Sequence, residues 1–172
     1  MSAARTLAIG VVLVGLAGCA SDPTQGYSFA ESMPQDLKSV SIPVCENYTY
    51  DLGLEALVTE AVIKEMQRST PLKVVSRGAA DSELKVIITK SELRRLSVQK
   101  KTGFSQELGV TLTVDFEWKD VRSGEMIVSR RDFAAADTFV PANPSGERLD
   151  NGRVGAASRL ARDLVWELRS NW

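Results

Sequence analysis

Apolar side chains recur along this chain in two rhythms, every second residue in some stretches and every third or fourth in others. In "LKSVSIPV", Val40, Ile42 and Val44 alternate with Ser39 and Ser41, the period of a strand with one buried face. Pro43 cannot donate to a sheet ladder, so this strand lies at an edge or ends there. The polar "ENYTYD" turns the chain, and Asp51 is the expected N-cap of a helix. In that helix Leu54, Leu57, Val58, Ala61, Val62 and Met66 share one face, with Glu55, Thr59, Glu60, Lys64 and Gln67 on the other. It stops before Pro71, because the pre-proline residue Thr70 is biased away from helical geometry. "LKVVS" is expected as a short strand and "RGAAD" as a turn.

A long extended segment follows, with Leu84, Val86 and Ile88 in phase. The alternation breaks around Lys90 to Leu93 before Leu96 and Val98 resume, which predicts a bulge or twist. "KKTGFSQ" turns the chain into "ELGVTLTVDFEWKD", the cleanest strand signal in the protein. There Leu108, Val110, Leu112, Val114, Phe116 and Trp118 face one way, and Thr111, Thr113, Asp115, Glu117 and Lys119 the other. "DVRSG" is a second turn and "EMIVSRRDF" a third antiparallel strand. After a proline- and glycine-rich loop, a helix from about Arg153 to Arg169 buries Val154, Ala157, Leu160, Ala161, Leu164, Val165 and Leu168. This order predicts an α+β fold: two amphipathic helices on one face of a mainly antiparallel sheet of four or five strands. The other sheet face is left to water or a polar partner.

Composition narrows the function. Lysine and arginine number 21 against 22 acidic residues, so no overall field draws the chain to nucleic acid. There is no histidine, which removes the commonest general base and metal ligand. No metal-ligand cluster, phosphate loop or nucleophile elbow appears, and neither a catalytic set nor a cofactor is expected. At the start, Arg5 precedes "LAIGVVLVGL" and then small residues, the pattern of an export signal. The run is too short for a comfortable span, which needs roughly 20 apolar residues. "LAGC" resembles the bacterial lipobox, which implies removal of residues 1–18 and lipidation of Cys19. Several acyl chains on one cysteine hold a protein stably to a bilayer. Residues 19–25 then read as a tether and 26–172 as one domain. Ala20, where aspartate would retain a lipoprotein at the inner membrane, points to the outer membrane. Cys45 is then the only other cysteine and reads as a small half-buried hydrophobe.

Two constellations carry potential chemistry. Asp115 and Glu117 lie two apart on one strand face, about 7 Å apart and within the range that glycosidases use. The ordinary alternative is a solvated face. Arg94, Arg95, Lys100 and Lys101 gather positive charge around one hairpin, with no acidic residue between Glu92 and Glu107. Such a tip suits phosphate or carboxylate groups, although charge also protects a strand end from edge pairing. Arg130 and Arg131 extend this patch if their strand is its neighbour.

Gly26 and Tyr27, then Ile42 to Val44, Glu46 and Asn47, Gly53 to Glu55 and Leu57 to Ala61 resemble the opening of the LptE family of lipopolysaccharide-assembly lipoproteins. "ADSEL", "LTV" and "DVRSGEM" match weaker family features in the same order. Cys45 stands where that family usually has an aromatic residue, and Val58 interrupts its Leu-Thr-Glu run. The resemblance implies a non-enzymatic outer-membrane lipoprotein that plugs the β-barrel LptD and helps deliver lipopolysaccharide to the outer leaflet. Its partners would be that barrel, lipopolysaccharide and the membrane through the lipid anchor. The basic hairpin, read from its charges and not carried over from the family, offers Arg94, Arg95, Lys100 and Lys101 as candidate lipopolysaccharide contacts. The alternatives are a scaffold lipoprotein of a secretin or pilus machine and an envelope hydrolase using Asp115 and Glu117.

Overall fold

A computed structural model describes residues 37–98, 105–141 and 149–170. The elements run β1 (Ser39–Ser41), β2 (Glu46–Asn47), α1 (Leu54–Ser69), β3 (Lys73–Val74), β4 (Ser82–Val98), β5 (Ser105–Asp120), β6 (Met126–Phe139) and α2 (Leu149–Ser170). Six strands form one sheet in the order β3-β1-β4-β5-β6, with β2 also paired to β4. The expected four or five mainly antiparallel strands therefore need correction. The sheet is mixed, because β1 pairs in parallel with β3 and β4, and β2 in parallel with β4. The reason is connection: a strand that reaches its neighbour through a helix returns in the same direction, as β1 and β3 do around α1.

The antiparallel meander β4-β5-β6 is the backbone of the sheet. Register places Leu84 opposite Trp118, Val86 opposite Phe116 and Ile88 opposite Val114, all on one face and all buried. Val58, Val62 and Met66 of α1 and Leu160, Leu164 and Leu168 of α2 complete the same core. On the sheet's other face Lys85, Glu117 and Lys119 are exposed. The expected break in β4 is real. Register shifts fall between Ile88 and Lys90 and again from Arg95 to Val98.

Other expectations shift. β1 ends at Ser41, ahead of Pro43, as one of the two expected outcomes had it, and lies between β3 and β4; Val44, expected in its apolar row, is exposed. Asp51 does not cap α1. The cap residue is Gly53 at φ 88°, a left-handed backbone that favours glycine, and its N–H donates to Glu55 Oε1 at 3.2 Å. Thr59, expected outside, is buried, and its hydroxyl oxygen accepts the Cys45 N–H at 2.9 Å. α2 starts earlier than expected, and Gly152 and Ala156 rather than Val154 face inward. Gly152 sits against the Phe139 ring; a Cβ there would lie 2.4 Å from a ring carbon. The turn "KKTGFSQ" lies largely outside the described residues, as do Cys19, Ala20 and the segment 1–36.

Candidate functional site

β4 carries the functional candidates on its second half. Arg94 lies opposite Gly109 and Arg95 opposite Leu108. Neighbours along a strand point to opposite faces, so the two guanidinium groups do not converge. Both residues are exposed, and Arg94 Nη2 is 3.0 Å from Glu92 Oε2. Within the second bulge Leu96 lies over Gly109; its Cδ1 is 3.3 Å from where a Cβ would stand. Lys100 and Lys101 lie outside the described residues.

Arg130 and Arg131 do not extend the patch. Arg130 pairs with Phe116, whose partner on β4 is Val86. At strand rise that is about 26 Å along β4 from Arg94. β5 also intervenes, and Arg130 Nε donates to Glu167 Oε1 at 2.7 Å.

A groove of about 390 Å³ opens beside β4, between Tyr48, Thr49, Tyr50 and Asp51 on one wall and Thr89, Lys90, Ser91 and Glu92 on the other. The loop wall is tied internally. Thr49 N–H and hydroxyl donate to Asn47 Oδ1 at 2.9 and 2.7 Å, and Asn47 Nδ2 donates to Asp51 O and Glu55 Oε2 at 2.9 Å. Asp51 then fastens this loop to two other elements. Its carboxylate accepts from Ser91 Oγ and from Arg153 Nη2 of α2, each at 2.6 Å. The loop nevertheless presents Tyr48, Tyr50 and Leu52 to solvent, Leu52 at 92% exposure. In the sequence "ENYTYD" marks a turn ahead of a helix; its two tyrosines are the signal that this turn also presents apolar surface.

Of the two carboxylates considered for hydrolysis, Asp115 is engaged in the fold. β6 bulges opposite Asp115, where Asp132 adopts φ 53°, the only positive φ outside glycine among the described residues. Asp115 Oδ1 accepts the Asp132 N–H at 2.9 Å and so supports the bulge. Glu117 lines a second hollow of about 400 Å³ on the open sheet face, with Lys119, Lys85, Glu46, Arg77 and Glu83. Opposite charges meet there: Lys85 is 2.7 Å from Glu46 and Arg77 3.0 Å from Glu83. The hydrogen bond from Lys85 holds the Glu46 carboxyl below its usual range. Burial pushes the Cys45 thiol up, which disfavours the nucleophilic thiolate and suits a small packed side chain. No group of three metal-ligating side chains exists among the described residues, and no helix among them is long and apolar enough to cross a membrane.

The architecture is thus a mixed-sheet α+β domain with an exposed groove and a basic strand end. The chain belongs to the LptE lipopolysaccharide-assembly family, whose model matches residues 37–171. No curated protein matches it. Solved structures share the fold at low identity. Protein XCC0632 from Xanthomonas campestris has a TM-score of 0.55 at 11% identity, covering 78% of this chain and 88% of that one. The hypothetical protein CT253 from Chlamydia trachomatis has 0.54 at 12%, covering 78% and 97%. PelC from Paraburkholderia phytofirmans, a dodecamer, has 0.51 at 19%, covering 77% and 87%.

Proposed function

We propose that the chain is an outer-membrane lipoprotein that plugs and assembles with an LptD-like β-barrel and helps deliver lipopolysaccharide to the outer leaflet. The carrying observation is family membership over residues 37–171. Cys19 is its lipidated residue after removal of 1–18, and 19–25 tethers the domain, 26–172, to the membrane. The hairpin residues Arg94, Arg95, Lys100 and Lys101 contact the anionic headgroup of lipopolysaccharide, where guanidinium forks suit phosphate. The opposite orientation of Arg94 and Arg95 has them reach that headgroup from two sides of the strand rather than clamp it together. The role needs no catalysis, and the use of Asp115 in a bulge argues against the hydrolase alternative.

The test is mild-detergent purification of the full chain, together with depletion in cells. A co-purified barrel and loss of surface lipopolysaccharide on depletion are expected. Isolation without a barrel, with normal surface lipopolysaccharide after depletion, would overturn the reading. Co-purification with a secretin or pilus component instead would favour the scaffold alternative.

A further inference from the structure

Beyond Ile88 the outward edge of β4 has no strand partner among the described residues. Its other edge stays paired with β5 from Lys90 to Val98, so the strand remains extended. An extended strand with one free edge presents a row of backbone donors and acceptors. β2 already uses the first part of this edge. Glu46 and Asn47 pair in parallel with Ile87 and Ile88, and the Tyr48 N–H makes a last bond to Ile88 O at 3.0 Å. There the chain turns away, so another strand would continue the line that β2 leaves.

The groove wall is preorganised by the Asn47 and Asp51 bonds, so docking against it need not first order a loop. Tyr50 of that wall, Leu52 next to it in the loop and Leu93 of the edge strand stand exposed, apolar area of the kind that partners cover. From Lys90 to Leu96 the strand itself carries Lys90, Arg94 and Arg95 against Glu92; Lys90 meets Asp132 at 3.5 Å and Arg94 meets Glu92 at 3.0 Å, but these pairs are exposed and weak, so the positive groups remain available to a partner. A second copy would bring the same positive excess and be repelled. The Arg94 and Arg95 side chains can meet phosphate, as proposed above, but phosphate offers acceptors only, whereas the backbone edge asks for donors as well.

We propose that the edge of β4 from Lys90 to Leu96, with the Tyr48–Leu52 loop as its wall, receives an extended acidic segment of a partner protein by strand addition. The identity of that partner as the barrel rests on the function proposed above. The test places a photo-crosslinking amino acid at Leu93, at Tyr50 and, as a control, at Trp166 on the exposed side of α2, in the full chain in cells, with adducts mapped to peptides. Leu93 and Tyr50 should join one acid-rich segment of one partner, and Trp166 should not. Lys90→Glu should lower the Leu93 adduct about tenfold without changing the thermal unfolding midpoint, because its pairing with Asp132 is between exposed groups. If the barrel co-purifies but Leu93 gives no adduct, or joins lipopolysaccharide, a second copy or residues 19–36 of its own chain, the strand-addition proposal fails while the function stands. If both positions join an acidic segment of a different envelope protein and no barrel co-purifies, strand addition stands and the barrel reading fails.

Discussion

The two halves of β4 have the same backbone conformation and opposite surroundings. From Ser82 to Ile88 the strand has β1 and β2 on one side, β5 on the other and helices over one face; Leu84, Val86 and Ile88 are buried. From Lys90 onward β5 is its only strand partner among the described residues, and Leu93, on the same face by register, is 53% exposed. The bulge at Thr89 divides them. Strand formation and core formation are therefore separable here: pairing alone carries the second half out from under the helices. Burial supplies the stability of the first half, and the second is left available for contact.

The largest test of this contrast is one substitution made in each half. Leu84→Ala removes a fully buried side chain and should cost about 3 kcal/mol or more, by lost transfer energy and a residual cavity. Leu93→Ala should cost less than about 0.5 kcal/mol. Urea unfolding monitored by circular dichroism checks both, with a lower midpoint and unchanged slope expected for the first. Equal losses would show that the second half is packed after all.

A smaller effect is expected where α2 meets β6. Alanine ordinarily favours a helix over glycine by about 1 kcal/mol. At Gly152 the new Cβ would meet the buried Phe139 ring at 2.4 Å, and such overpacking costs about 1–3 kcal/mol. Gly152→Ala should therefore be net destabilising, by about 1 kcal/mol. Gly155→Ala meets the Asp137 side chain, its carboxylate most closely, and that partly exposed group, only loosely paired with Arg159 at 3.8 Å, can swing aside; the change should be neutral or slightly stabilising. Thermal melts of the two variants would show whether the far end of the sheet is tight on its β6 side while open on its β4 side.

How much of this was legible depends on length of signal. β5 and both helices announced themselves because alternation or a 3.6 period ran for many residues. β1 and β3 are legible as short strands, but pairings of two or three residues carry no sign of direction, and β2, two residues long, reads as part of a turn, so the parallel pairing of this half of the sheet is not legible. The β4 bulge was readable as a broken alternation, and the opposed directions of Arg94 and Arg95 follow from the strand period. Asp51 sits where a cap is expected, whereas its actual partners, Ser91 and Arg153, lie far along the chain in β4 and the last helix. Gly152 was missed because a glycine carries no apolar signal, although a ring packing against bare backbone requires one.

The Asp51 link offers a test of what holds the groove wall in place. Arg153→Met retains most of the aliphatic stem and removes the charge. With both side chains partly exposed, the loss should be about 1 kcal/mol or less. A double-mutant cycle with Asp51→Asn measures the coupling directly. If the link positions the wall, crosslinking from Tyr50 falls while that from Leu93 persists. Equal falls would mean that the wall and the edge move as one.

The final expected effect is confined to acid and to the first half of the sheet. Asp81, just ahead of β4, accepts from the Ser39 hydroxyl at 2.8 Å and from the Lys38 and Ser39 N–H groups at 3.1 Å, joining β1 to the start of β4. The Ser39 hydroxyl, with those backbone donors, holds its carboxyl below the usual aspartate range. Its folded value is lowered, so its contribution is fully present above the unfolded value of about 3.9. The contribution is lost as pH falls through the folded value, since the unfolded chain binds the proton more readily. Asp81→Asn lacks that titration, and carboxylates common to both proteins cancel in the difference. The stability gap between wild type and Asp81→Asn should stay constant from pH 7 to about 5 and shrink below about 4. A gap that did not vary would mean that the carboxylate charge contributes nothing to joining β1 to β4, leaving the first half held by its buried side chains alone.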